Sequence, residues 1–211
     1  NATADCAGVV GGTDVSCCTY PTAAVTPFCE DVESGSSGAI FAQQPYASAM
    51  NWGNATFVVN GHPGANGPIA GSYSMKFEGG DAPTGWTLYS TEAQRYANTT
   101  HVSSATICMD LSTAAPSCEM SFNLDLFSGF ANVGYTSMRV WVNGAVIPDI
   151  AGNTSYWNGA APFTTGAPAQ AITYNMSPYS GQSNVNVTFE FAGKYSTNYS
   201  TGMYGNVALV D

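Results

Sequence analysis

The sequence predicts an all-β protein: a two-sheet antiparallel β-sandwich or jelly roll with a small disulfide-rich N-terminal segment. Three observations predict it. The segments Cys118–Leu126, Ser137–Asn143 and Asn184–Phe191 alternate apolar and polar residues with the period of two that marks a half-buried strand. Shorter runs of the same kind are separated by turns rich in Gly and Pro. No ten-residue segment carries helical periodicity.

In chain order, residues 1–29 are Cys-rich with little periodicity and read as a cap or linker, and residues 30–211 read as the sandwich. Short strands are expected at Ala55–Val59, Gly71–Phe77 and Gly85–Tyr89. Residues 102–126 read as a hairpin turning at Ser112–Pro116. Residues 144–183 form a long excursion rich in Gly, Pro and Asn, with a strand near Gln170–Met176. The run Tyr204–Asp211 closes the chain, and most prolines fall between strands, where no ladder hydrogen bond is lost.

The alternation puts Met120, Phe122, Leu124 and Leu126 on one face with Met138, Val140, Val142, Val185, Val187, Phe189 and Phe191. The other face then holds Glu119, Ser121, Asn123 and Asp125 with Arg139, Trp141, Asn186, Thr188 and Glu190. The first set is a core. The second places a Trp and an Arg among carboxylates and amides.

The 211 residues suffice for one domain with a substantial core. Only Lys76, Arg95, Arg139 and Lys194 are basic, and the net charge is -10. Nothing is available to neutralise phosphates, which argues against nucleic acid and anionic membrane surfaces as partners. No run of 18 apolar residues occurs, so no membrane insertion is expected. No signal peptide is visible, and the chain reads as a mature or excised piece of a longer protein.

Six cysteines, Cys6, Cys17, Cys18, Cys29, Cys108 and Cys118, point to an oxidising compartment and thus to a secreted or cell-surface protein. No Cys-x-x-Cys pair occurs, and His62 and His101 lie far from the cysteines, which disfavours zinc. The spacing favours a Cys108–Cys118 staple across the expected hairpin, leaving the other four to pair within residues 6–29. Adjacent Cys17 and Cys18 suit disulfide geometry poorly, so each is expected to pair with Cys6 or Cys29. Seven Asn-x-Ser/Thr sequons, at Asn1, Asn54, Asn98, Asn153, Asn175, Asn186 and Asn198, allow glycosylation; the proline after Ser177 disfavours it at Asn175.

Residues 30–211 resemble the MAM-like and carbohydrate-binding-module-like jelly rolls of secreted multidomain surface proteins. The pieces that carry the resemblance are Glu30–Gly35, Gly71–Phe77, Thr106–Leu111, Met120–Leu124, Met138–Val142, Tyr174–Gln182 and Gly205–Asp211. Among them the run Ser177-Pro178-Tyr179-Ser180-Gly181-Gln182, followed by an alternating strand, is the most diagnostic. The short segment Asp5–Thr13 resembles Cys-Gly repeats of large surface-exported proteins of the Bacteroidetes type. The resemblance implies a structural calcium ion, held between acidic residues of the first strand and an Asp of the last. Glu33 and Asp211 match by position, and Asp31 is a further candidate ligand, among the wider set of carboxylates that includes Glu78 and Asp81.

The candidate ligand-binding residues are Trp141, Arg139, Asn123, Asp125 and Glu190. A sugar stacks its C–H face on an exposed aromatic ring, and its hydroxyls need amide, carboxylate and guanidinium partners. The competing structural reading is a solvated sheet face. Arg139 would then pair across strands with Glu190 or Asp125, and the 144–170 excursion would cover Trp141. Tyr156, Trp157 and Phe163 would line a groove or form that lid. The leading expectation is a non-catalytic extracellular binding or adhesion module, with glycan or neighbouring copies of the same protein as partner. A second is a structural subunit of an extracellular filament or surface layer, pairing through a free strand edge. A third is a glycoside hydrolase using two of Glu119, Asp125 and Glu190.

Overall fold

The computed structural model describes residues 24–25, 41–44, 56–59, 68–78, 102–128, 136–157, 162–163, 167–193 and 206–211. The described strands are β1 (Ala24–Val25), β2 (Phe41–Gln44), β3 (Thr56–Val59), β4 (Ser74–Glu78), β5 (Val102–Asp110) and β6 (Glu119–Ser128). They continue with β7 (Thr136–Val142), β8 (Ala145–Val146), β9 (Tyr156–Trp157), β10 (Gln170–Asn175), β11 (Val185–Gly193) and β12 (Asn206–Val210). A single 3-10 turn, Ser177–Tyr179, is the one helical element among the described residues. The three segments with the clearest alternation are thus β6, β7 and β11.

The strands form two sheets. The seven-stranded sheet runs β1-β5-β11-β7-β8, with β2 also on β5 and β9 also on β7; the five-stranded sheet runs β10-β6-β12-β4-β3. Every described pairing is antiparallel except that of β1 with β5. The sheets face each other over one core, to which β4, β6, β10 and β12 contribute from one side and β5, β7 and β11 from the other. Phe189 of β11 meets Phe122 of β6 edge-on at 5.0 Å and lies 6.4 Å from Phe77 of β4. Such tilted and edge-to-face contacts favour aromatic pairs beyond the area they bury. Phe122 also stacks on Tyr174 of β10 at 5.9 Å.

This topology corrects the expected hairpin at residues 102–126. β5 and β6 are consecutive but lie in opposite sheets, so Leu111–Cys118 is an arch between sheets. The 3-10 turn plugs that arch. Gly181 N donates to Leu111 O at 2.9 Å, Leu111 N to Gln182 O at 2.8 Å and Met176 N to Cys118 O at 2.9 Å. Ser180 Oγ donates to Ala114 O at 3.1 Å, and Leu111 is buried beneath. The Ser-Pro-Tyr-Ser-Gly-Gln run therefore holds an inter-sheet connection closed.

The expected Cys108–Cys118 disulfide does not form: Cys118 is a half-buried free thiol. Facing sheets stand about 10 Å apart, whereas a disulfide needs Cα atoms within about 7 Å. Cys108 is disulfide-bonded and buried. The calls on Cys6, Cys17, Cys18 and Cys29 lie outside the described residues. β1 runs beside the end of β5, with Ala24 opposite Met109.

β8 arises from Asn143-Gly144. Asn143 has φ +48° and Gly144 φ +79°, the two left-handed residues of a tight hairpin. Asn143 also reaches across to β11, where its Oδ1 accepts from Asn186 N at 2.9 Å.

Candidate functional site on the outer face of the seven-stranded sheet

In β7 the residues Met138, Val140 and Val142 point into the core, so Arg139 and Trp141 stand on the outer face. In β11 the core residues are Val185, Val187, Phe189 and Phe191, which leaves Asn186, Thr188 and Glu190 outside. The antiparallel register sets Arg139 directly opposite Glu190 and Trp141 directly opposite Thr188. Three of the five predicted ligand-binding residues are thereby brought together.

Glu190 is the hub. Its Oε2 accepts from Arg139 Nε and, at 2.6 Å, from Trp141 Nε1. The Arg139 guanidinium lies over the Trp141 ring, 4.6 Å from its centroid, where the π cloud favours a cation. Arg139 and Glu190 are only 17% and 14% exposed, so solvent screens the pair weakly. Beside them the hydroxyls of Thr106 and Thr188 share a 2.7 Å hydrogen bond. Trp141 is half-buried and outside the core cluster. The cross-strand pairing of Arg139 with Glu190 expected on structural grounds is present, and it fixes the indole in place.

Asn123 and Asp125 do not join this site. They sit on β6, where Phe122, Leu124 and Leu126 face the core, so they lie on the other face of the five-stranded sheet. The three long strands share a core, but β6 lies in the other sheet from β7 and β11, and their polar residues form two surfaces. Asn123 instead pairs with Asp211 through two backbone hydrogen bonds of 2.7 and 3.0 Å, which places Asp211 one step beyond Val210 in register. Asp125 is 7% exposed, and no described residue offers it a hydrogen bond or an ion pair. Burial pushes its pKa upward.

The carboxylates proposed for glycoside hydrolysis are also kept apart. Glu190 is in one sheet, and Glu119 and Asp125 are in the other. Glu119 and Asp125 lie six residues apart on β6, about 20 Å, well beyond the separation two catalytic carboxylates need. Of the expected calcium ligands, Asp31 and Glu33 lie outside the described residues. No three His, Cys, Asp or Glu side chains gather into a metal site among the described residues.

The aromatic residues of the 144–183 excursion divide. Tyr156 and Phe163 are core residues, 5.4 Å apart and edge-to-face. They are neither a groove lining nor a lid. Trp157 is half-buried, outside the core, and donates from Nε1 to Ser155 Oγ at 3.0 Å. Asp149 anchors this loop by accepting from Tyr156 Oη, from Asn153 N at 2.7 Å and from Asn153 Nδ2 at 3.0 Å. Burial alone would raise the Asp149 pKa; the hydrogen bonds outweigh it and hold it below the ordinary value. Both burial and the bond to Asp149 push the Tyr156 pKa upward. The sequence reading missed the short strands β8 and β9, although Asn143-Gly144 was a usable signal for β8.

No helix among the described residues is long and apolar enough to cross a membrane. No family model matches the chain, and no curated protein matches it. The chain is similar to a solved structure of TmCBM61 in complex with β-1,4-galactotriose, with 16% identity and a TM-score of 0.41 over 85% of this chain and 89% of that one. No ligand or residue role is carried over from a likeness of that size.

Proposed function

We propose that this chain is a non-catalytic extracellular binding or adhesion module that holds a glycan on the outer face of its seven-stranded sheet. One observation carries the reading. Trp141 stands outside the core on a polar face, with its N–H fixed by Glu190 and one ring face covered by Arg139. An aromatic ring already locked in place loses little conformational entropy when a sugar stacks on it. The hydroxyls and carboxylate around it suit a polar, uncharged ligand. Secretion and jelly-roll winding belong to the same reading. So does a structural calcium ion at Asp211, Asp31 and Glu33, supported by the sheet position of Asp211 beside Asn123.

A glycan array on the isolated domain, with and without chelator, tests this. Binding to at least one glycan class is expected, weakened tenfold or more by Trp141→Ala and unaffected by substitution of Glu119 on the opposite face. An array with no binding in either condition overturns the glycan reading. An unchanged melting temperature after chelation removes the calcium.

A further inference from the structure

Thr188 stands at the centre of the outer face around Trp141. The register of β11 sets it opposite Trp141 of β7 on one side and opposite Thr106 of β5 on the other. The three side chains therefore share one rung across three strands, and all three are half-buried rather than sealed. Neighbouring strands lie about 4.8 Å apart, so this rung spans roughly 10 Å from Trp141 to Thr106.

The Thr106 and Thr188 hydroxyls lie 2.7 Å apart and hold each other. A hydroxyl carries one proton and two acceptor lone pairs. One of the two protons is spent on the mutual bond. The other proton and the remaining lone pairs have no further partner among the described residues. The pair thus offers a donor and an acceptor side by side, at the spacing of two adjacent hydroxyls on a pyranose ring. A sugar that lays its C–H face on the Trp141 indole turns one edge, with its hydroxyls, toward the sheet. The rung it meets there is Thr188, with Thr106 one strand further on.

Resting on the glycan reading above, we infer that Thr188 and Thr106 are specificity-determining residues of that site: their paired hydroxyls bind two adjacent ring hydroxyls of the sugar stacked on Trp141. The ligand class this selects is a chain whose internal residues keep an adjacent hydroxyl pair. A 1,4-linked pyranose chain keeps that pair at carbons 2 and 3. A 1,3-linked chain spends the hydroxyl of carbon 3 on the linkage and keeps no adjacent pair. A site built to hydrogen-bond a hydroxyl rejects ligands that lack it, since its own groups are then left unpaired. Stacking on Trp141 serves both chains; the threonines tell them apart.

The test is calorimetric titration of the full chain with soluble β-1,4-linked glucan, xylan, mannan and galactan, and with β-1,3-linked glucan. The variants are Thr188→Val and Thr106→Val, which keep the branched shape and remove the hydroxyl, with Thr188→Ser as the conservative rescue and Trp141→Ala. Thr173→Val is the control: it breaks a hydroxyl pair of the same kind, Ser121 with Thr173 at 3.0 Å, in the five-stranded sheet. Circular dichroism and the melting temperature confirm the fold of each variant. At least one 1,4-linked polymer should bind tenfold or more tighter than the 1,3-linked glucan. Either valine variant should erase that preference, Thr188→Ser should keep affinity within threefold, and Thr173→Val should change nothing. Trp141→Ala should weaken every polymer that binds. A preference that survives both valine variants, or one that Thr173→Val also erases, overturns the role of the threonines and leaves the Trp141 reading standing. So does equal or tighter binding of the 1,3-linked glucan. Absence of binding to every polymer overturns both.

Discussion

The two outer faces of the sandwich treat a carboxylate in opposite ways. On the seven-stranded sheet, Glu190 is shielded from solvent and accepts from both Arg139 and Trp141. On the five-stranded sheet, Asp125 is more deeply buried, and no described residue pairs with it. Both residues alternate with core side chains in long strands, and the pattern around them is nearly the same. What separates them is the residue across the ladder: Arg139 stands opposite Glu190, and Leu209 opposite Asp125. Alternation decides which side of a sheet a charge occupies; cross-strand register decides whether burying it costs free energy. Asp149 is a third case, a carboxylate compensated by hydrogen bonds alone.

The largest expected effect is at the compensated pair. Arg139→Ala takes the guanidinium away from the shielded Glu190 carboxylate and should cost about 2–3 kcal/mol of stability. Adding Glu190→Gln should recover much of that loss, since the stranded charge is gone. Chemical denaturation of the two single variants and the double variant measures the coupling. Strict additivity would mean that the two residues are near each other without interacting, and the comparison between the faces would collapse.

Next comes Asp149→Ala, which strands the buried Tyr156 hydroxyl and releases Asn153; about 1–2 kcal/mol is expected. The depressed pKa of Asp149 means that its contribution is present above the ordinary carboxylate range and is lost as pH falls through the folded-state value. The difference in stability between this variant and the parent chain should therefore shrink toward low pH. A difference that stays constant with pH would show that the loop is held by Tyr156 and Phe163 packing rather than by the carboxylate.

How far the sequence was legible follows the same line. β6, β7 and β11 were legible because each alternates over seven or more residues, and their apolar side chains do form the core. The proximity of Arg139, Trp141 and Glu190 was legible in part: alternation put all three on polar faces, where opposite charges pair across strands, but left Asp125 open as a partner for Arg139. The separation of Asn123 and Asp125 was not, because a period of two names a face without naming a sheet. The same gap produced the mistaken Cys108–Cys118 staple: eight residues can turn a hairpin or cross between sheets, and the Leu111 contacts that make it an arch come from residues 181–182, some seventy positions later. Trp157 could not be told apart from the core residues Tyr156 and Phe163 because a two-residue strand has no periodicity to read.

The smallest effect is the most discriminating. Asp125→Asn keeps the shape of the side chain and removes its charge, and the change in stability should stay within about 1 kcal/mol, in the stabilising direction at neutral pH. The sign depends on pH in a way that Asp149 reverses. The folded-state pKa of Asp125 lies above its ordinary 3.8. Below 3.8 both folded and unfolded chains hold the proton, and the carboxyl costs nothing. As pH rises from there through the raised value, the unfolded chain releases the proton first, and stability falls; above it the full cost is present. The advantage of Asp125→Asn over the parent chain should therefore be absent at low pH, grow across that window and stay constant beyond it. The measurement is a denaturant titration of both chains at several pH values. A variant that is less stable at neutral pH would mean that the Asp125 carboxylate is compensated after all, and the contrast between the two faces would then be one of partner identity rather than of partner presence.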